Sequence, residues 1–230
     1  MLTADRKARG DEVLNLCFHG IGTPGRPMEP DEELYWVTES QFTGLLDVIA
    51  EFPRVRITFD DGNKSDAAIA LPELRSRNLA ATFFVIAGRL DEPGSLSSAD
   101  VRDLADGGMT VGSHGMRHRP WRSVDDDELH EELTDAAEAI ARASGRPVHE
   151  VACPFGDYDR RVLTAVRRSG FRHVYTVDGG PARRTAWLQS RYTIRAGETP
   201  AGIERRMRAP GGGAVTAAVR KGKALVKQWR

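Results

Sequence analysis

Two short stretches of this sequence have the residue types and spacing for chemistry on a metal ion. The first is Thr58-Phe59-Asp60-Asp61-Gly62, in which adjacent carboxylates precede a glycine. Neighbouring residues at a strand end point to different sides, so one carboxylate has the reach to hold a cation while the other faces a water. Asp-Gly is also an ordinary hairpin turn, and nothing within the stretch decides between the two readings. The second is His114-Gly115-Met116-Arg117-His118, with imidazoles four residues apart. On a helical turn that spacing puts both rings on one face, converging on one ion at about 2.0–2.1 Å. Two histidines and a carboxylate leave coordination positions open, and open positions belong to catalytic rather than structural zinc sites.

Such side chains need elements to deliver them. Val55-Arg56-Ile57-Thr58 reads as a buried strand ending at the aspartate pair, and Met109-Thr110-Val111 as a short strand delivering Ser113-His114. Further strands are expected at 13–19, 81–86, 148–152 and 173–177, with short ones at Trp187-Leu188 and Tyr192-Thr193-Ile194. Helical patterns fall between them. Thr38 and Gln41 form a candidate capping box for the first, and a second runs over 65–77 with Pro72 kinking or restarting it. Others start at Ser98, at Ser123 or Asp125, and at Asp159. Strands alternating with helices through short connections predict a parallel sheet. The polar clusters each follow a strand, as catalytic groups do at the C-terminal ends of barrel strands. Ile21 to Val37 is a long loop rich in Pro, Gly and acidic residues, and loops of that length are often functional.

At 230 residues the chain fits one large domain, expected over 1–209, with a basic tail at 210–230 that is helical in composition after Pro210-Gly211-Gly212-Gly213. Lys+Arg and Asp+Glu are equal at 33 each, which gives no reason to propose a nucleic-acid partner. From Arg205 onward, however, there are eight Lys/Arg and no acidic residue. A solvated terminus accounts for this, and peripheral contact with anionic lipid is the sharper reading. Cys17 and Cys153 lie in apolar runs without metal-type spacing, so buried thiols are expected. The charged start has no apolar signal region and no run approaches the roughly 20 apolar residues of a spanning helix, so a cytoplasmic location is expected.

The aspartate and histidine stretches together resemble those of the polysaccharide deacetylases, the NodB-homology carbohydrate esterases, and Pro154-Phe155-Gly156 resembles that family's third motif. The likeness covers at least 55–177. It implies a distorted (β/α) barrel of about seven parallel strands and a divalent metal, zinc before cobalt, nickel or manganese. The implied reaction removes the N-acetyl group of an acetamido sugar, with a metal-bound water as nucleophile. By resemblance Asp61, His114 and His118 are the ligands and Asp60 is the general base. Trp36, Pro154, Phe155, Gly156 and Tyr158 are candidate sugar contacts, and Tyr35, Trp121 and Trp187 are weaker aromatic candidates. A nucleotide- or lipid-linked sugar is the expected carrier.

The chain departs from the family pattern in three places. Gly115 stands where Ser or Thr is usual, and Ala152 where an arginine orients the base; Arg191 and Arg117 are replacements on grounds of type alone. No histidine follows His173, although the family's acid histidine normally lies in a C-terminal Leu-x-His. His19, at the end of the first strand, resembles the arrangement in circularly rearranged members, which makes it the candidate general acid. His173 reads as structural, and His130 and His149 as solvated. A barrel that has lost catalysis and serves as a carbohydrate-binding or assembly protein is the competing reading. A different metal-assisted amide hydrolysis or deformylation is a third.

Overall fold

Strands form where β-branched and aromatic residues cluster, because such side chains pack well on a pleated surface. The computed structural model describes residues 11–211 and, in the tail, Ala218, Gly222, Val226, Lys227 and Trp229. Its strands are β1 (Glu12–Phe18), β2 (Val55–Phe59), β3 (Ala81–Val85), β4 (Thr110–Ser113), β5 (Glu150–Ala152), β6 (His173–Thr176), β7 (Ala182–Arg183) and β8 (Leu188–Thr193). In space they run β2-β3-β4-β5-β6-β8-β1, and β1 pairs with β2 to close the ring. The result is a closed barrel of seven parallel strands, with β7 an antiparallel strap on the start of β1.

Alternation along the strands sorts their side chains into two sets. Leu14, Leu16, Phe18, Ile57, Phe59 and Phe83 belong to the main apolar core, together with Phe42, Leu45, Leu46 and Ile49 of helix α1 (Glu39–Ala50). Phe84, Ala152 and Tyr175 form a separate small cluster. It draws on strands from different sides of the ring and so fills the barrel interior.

The remaining helices surround the ring: α2 (Leu71–Ser76), α3 (Ser98–Asp106), α4 (Asp126–His130), α5 (Ala136–Ser144), α6 (Arg160–Arg168) and α7 (Pro200–Arg208). Pro72 restarts its helix rather than kinking it. It lies in the first turn of α2, where a missing N–H is harmless, and a π-helical turn at Asp66–Ala70 leads in. Thr38 caps α1 as expected, but the Gln41 side chain bonds the Arg195 and Glu198 carbonyls instead of completing a box. Ser97, not Ser98, caps α3, because its hydroxyl and the Asp100 carboxylate exchange reciprocal bonds with the backbone. Helix α7 is an addition to the expected set, although Thr199-Pro200 is an N-cap followed by an N1 proline. The two short strands expected after residue 186 are one, β8. The helix expected in the tail lies largely outside the described residues. Among the described residues no helix is long and apolar enough to cross a membrane.

Candidate active site

The aspartate pair leaves β2 through a tight turn. The Asp60 N–H donates to the Phe18 carbonyl at 3.0 Å, prolonging the β1–β2 pairing, and then Asp61 (φ 77°) and Gly62 (φ 68°) both turn left-handed. Asp tolerates that region better than most residues, and the reversal sends the two carboxylates in different directions. Asp61 Oδ1 points to 3.6 Å from His114 Nε2 and 3.5 Å from His118 Nε2. It is buried and, among the described residues, has no hydrogen-bond partner. One ligand atom from each of Asp61, His114 and His118 lies within 4.8 Å of the other two. An orphaned carboxylate oxygen facing two imidazole nitrogens is a donor set for a divalent cation, and these residues fit one.

The histidine pair converges through a bent loop, not through the helical turn that its spacing suggested. Gly115 (φ 83°) and His118 (φ 53°) both take left-handed conformations. The carboxylate of Glu132 holds this loop, accepting from the N–H groups of Met116 at 2.9 Å and Arg117 at 3.0 Å and from the Trp121 indole at 3.3 Å. A Cβ on Gly115 would overlap that carboxylate, so the departure from Ser or Thr has a steric reason. His114 Nδ1 lies 2.9 Å from the Ala152 carbonyl, an acceptor that puts the proton on Nδ1 and leaves the Nε2 lone pair facing Asp61. Burial pulls the His114 pKa down to about 4, which keeps the ring neutral. His118 Nδ1 lies 3.1 Å from Glu29 Oε2. Burial lowers the His118 pKa, but the Glu29 hydrogen bond and the Asp61 charge more than offset it, so this spot favours positive charge.

Asp60 lies on the other side of the turn and is gripped by Arg191 of β8. Nη1 donates to Oδ1 at 2.5 Å and Nη2 to Oδ2 at 2.7 Å, with both residues buried. Burial pushes the Asp60 carboxyl up, but the Arg191 charge outweighs it and holds the group well below the usual carboxylate range. The guanidinium rests 5.3 Å from the Phe84 ring and 5.8 Å from Tyr175, over the box whose third member is Ala152. The other candidate of the same type, Arg117, is exposed and pairs with Glu131.

His19 follows β1. A ring nitrogen of His19, the Cys17 sulfur and a carboxylate oxygen of Asp60 lie within 4.8 Å of one another. The loop that follows closes on itself through an Ile21–Val37 bridge and returns Tyr35 to stack on His19 at 5.2 Å. Trp36 lies flat on Gly20, where a Cβ would meet its ring.

The sequence model of the polysaccharide deacetylases matches residues 48–174. The chain belongs to the polysaccharide deacetylase family. It is 23% identical over 141 residues to YxkH of Bacillus subtilis, covering 61% of this chain and 50% of that one. It is 28% identical over 123 residues to a chitooligosaccharide deacetylase of a Bradyrhizobium strain, covering 53% and 54%. A third relative, a peptidoglycan-N-acetylglucosamine deacetylase of Bacillus cereus, is 26% identical over 104 residues, 45% of this chain and 36% of that one. The chain thus spans about half, or less, of the length of these relatives. Among solved structures, the Streptococcus pyogenes deacetylase PplD in complex with acetate shares the fold with a TM-score of 0.75 at 20% identity, covering 85% of this chain and 98% of that one. IcaB from Ammonifex degensii gives 0.71 at 20% identity, covering 87% and 98%.

Within this deacetylase-family barrel the expected sugar contacts part company. Phe155 is 56% exposed, held at φ 57°, with its ring 4.4 Å from that of His118. Pro154 and Gly156 are buried beneath it and shape the turn that lifts it. Tyr158 is 1% exposed and donates to Asp178, so its ring is inside the protein and not on a wall. Trp121 is fully buried, and Trp187 donates to the Phe171 carbonyl under a stacked Arg167. Cys17 and Cys153 are buried and free. His173 pairs with Glu150 and His130 is exposed; His149 is half-buried. Glu29 and Glu132 carry no mark of tertiary contact in the sequence, one lying in an acidic loop and the other on an acidic helix.

Proposed function

We propose that this chain is a metal-dependent hydrolase that removes the N-acetyl group of an acetamido sugar. The observation that carries the proposal is the split aspartate turn, with Asp61 converging on His114 and His118 while Asp60 is gripped by Arg191 beside them. The trio would hold a divalent ion, zinc in preference to cobalt, nickel or manganese on the chemistry of two imidazoles and a carboxylate. When bound, such an ion polarises a carbonyl and brings the pKa of a water toward neutrality.

The chain's own groups supply the rest. Arg191 keeps Asp60 ionised and fixes both its oxygens, which aims the carboxylate at the cost of some basicity. Asp60 takes the proton released as water attacks the acetamide carbon. His19, across Asp60 from the metal trio, hands a proton to the departing amine, a very poor leaving group otherwise. Strand β1 lies between β8 and β2, the place in the ring that a strand following β8 would occupy. An N-terminal histidine there supports the role that the family gives to a C-terminal one. Phe155 and Trp36 are the aromatic faces for the pyranose ring, and relatives named for chitooligosaccharide and peptidoglycan N-acetylglucosamine support that substrate class.

The basic tail favours an anionic carrier, a nucleotide or lipid diphosphate. The experiment is acetate release from free, nucleotide-linked and lipid-linked N-acetyl sugars and chitooligosaccharides, with chelator and after metal is restored. Chelator-sensitive release from one of them is expected. No release from any by metal-loaded protein would favour the carbohydrate-binding barrel instead.

A further inference from the structure

We propose that Glu29, on the loop between β1 and α1, positions His118 for the metal, so that this loop forms part of the metal site. The inference rests on the assignment of Asp61, His114 and His118 as ligands.

A ligating imidazole presents one nitrogen to the ion, and its other nitrogen needs an acceptor that fixes tautomer and ring rotation. The barrel provides this for His114, whose Nδ1 meets the Ala152 carbonyl of β5 at 2.9 Å. His118 stands beyond the strand, at the end of a bent loop in a left-handed conformation. The acceptor at its Nδ1 is the carboxylate of Glu29, with oxygens at 3.1 and 3.4 Å.

Glu29 is itself held in place. Its Oε1 is ion-paired with Arg89, and its N–H donates to Glu32 at 2.8 Å. Glu32, 6% exposed, takes the fork of Arg26 at 2.5 and 2.9 Å. Arg26 also donates at 2.9 Å to Asn63, two residues beyond Asp61. The loop is therefore tied at two points to the segments that carry the ligands, through Glu29 to His118 and through Arg26 to the aspartate turn. A carboxylate behind the ring also raises its basicity and adds negative charge near the cation. Loop docking and metal affinity are then linked, each strengthening the other by the same factor.

The test is zinc titration of the purified chain against a chromophoric chelator. Glu29→Gln keeps the size but removes the charge, and Glu29→Ala removes both. Each is expected to weaken zinc binding about 10–100-fold, with Glu29→Asp recovering part of the loss. Zinc is expected to slow amide hydrogen exchange across 22–36 in the parent chain and to lose that effect in Glu29→Gln. If Glu29→Ala is unfolded without metal, the glutamine variant decides. Parental zinc affinity in a folded Glu29→Gln variant would overturn the proposal. Parental zinc affinity in His118→Ala would instead overturn the ligand assignment beneath it.

Discussion

Arg191 and Asp60 are 131 residues apart in the chain, yet the guanidinium covers both oxygens of the carboxylate inside the barrel. Strand register brings this about: β8 pairs with β1 and β1 with β2, so Arg191 faces Asn15 while Asp60 continues from Phe59. Ala152, where the family pattern expects an arginine, packs with Phe84 and Tyr175 in the box that the Arg191 guanidinium overlies. The supporting positive charge has moved to another strand.

Arg191→Gln should leave Asp60 a buried and unpaired charge. An unfolding free energy lower by about 3–5 kcal/mol is expected in urea denaturation. Arg191→Lys keeps the charge but not the fork. It should recover part of that stability while turnover stays depressed, and parental turnover in the lysine variant would rule out a positioning role.

The two aspartates should separate cleanly. Asp60→Asn is expected to abolish acetate release with metal affinity near that of the parent chain, whereas His114→Ala or His118→Ala should lose both. Metal analysis after dialysis reads this directly. Loss of metal in Asp60→Asn would contradict the division of roles.

His19→Ala should lower turnover by about 10²–10⁴-fold, the usual scale of one general acid, with an unchanged unfolding midpoint. A substrate with a better leaving group, such as an aryl acetamide, should suffer a smaller loss. An equal loss on both substrates would mean that His19 acts otherwise than by protonating the amine.

Asp66 lies fully buried, and among the described residues neither of its oxygens makes a full hydrogen bond. Burial, then the charges of Asp61 and Asp60, push its carboxyl well above the ordinary value. With its folded pKa above the unfolded one, its stabilising contribution is complete below about pH 4 and is lost as pH rises toward the folded value. Asp66→Asn should therefore flatten the stability profile of the metal-free protein from pH 4 upward and raise its unfolding midpoint at pH 7. Denaturant curves at several pH values check this, and parallel profiles for the two proteins would contradict it.

Phe155→Ala should raise KM for the sugar about tenfold, on the scale of a lost aromatic contact, with kcat nearly unchanged. Steady-state kinetics decide, and an unchanged KM would remove Phe155 from the substrate wall.

The aspartate turn and the histidine pair were legible in the sequence because each is a local pattern a few residues long. Strand and helix alternation likewise predicts a parallel sheet, the family resemblance implies its closure into a barrel, and β1 to β6 overlap the stretches where strands are expected. Strand β8 shows in the sequence only as two fragments, for a physical reason. Its buried members are Gln189 and Arg191, so it points polar groups inward and reverses the pattern that normally marks a strand. The same reversal leaves Arg191 a candidate by residue type alone, with no sign in the sequence of the direction in which it points. Glu29 and Glu132 act on residues 89 and 16 positions away, through contacts that no local pattern records.

Closure of the ring by β1 has a kinetic consequence. Strand β1, which precedes the other barrel strands in the chain, cannot complete its hydrogen bonding until Leu188–Thr193 is in place, because β8 is one of its neighbours in the ring. Contacts so distant in sequence form slowly and late. His19 travels with that strand, so the appearance of activity during refolding should lag behind helix formation and keep time with the last pairing of the barrel.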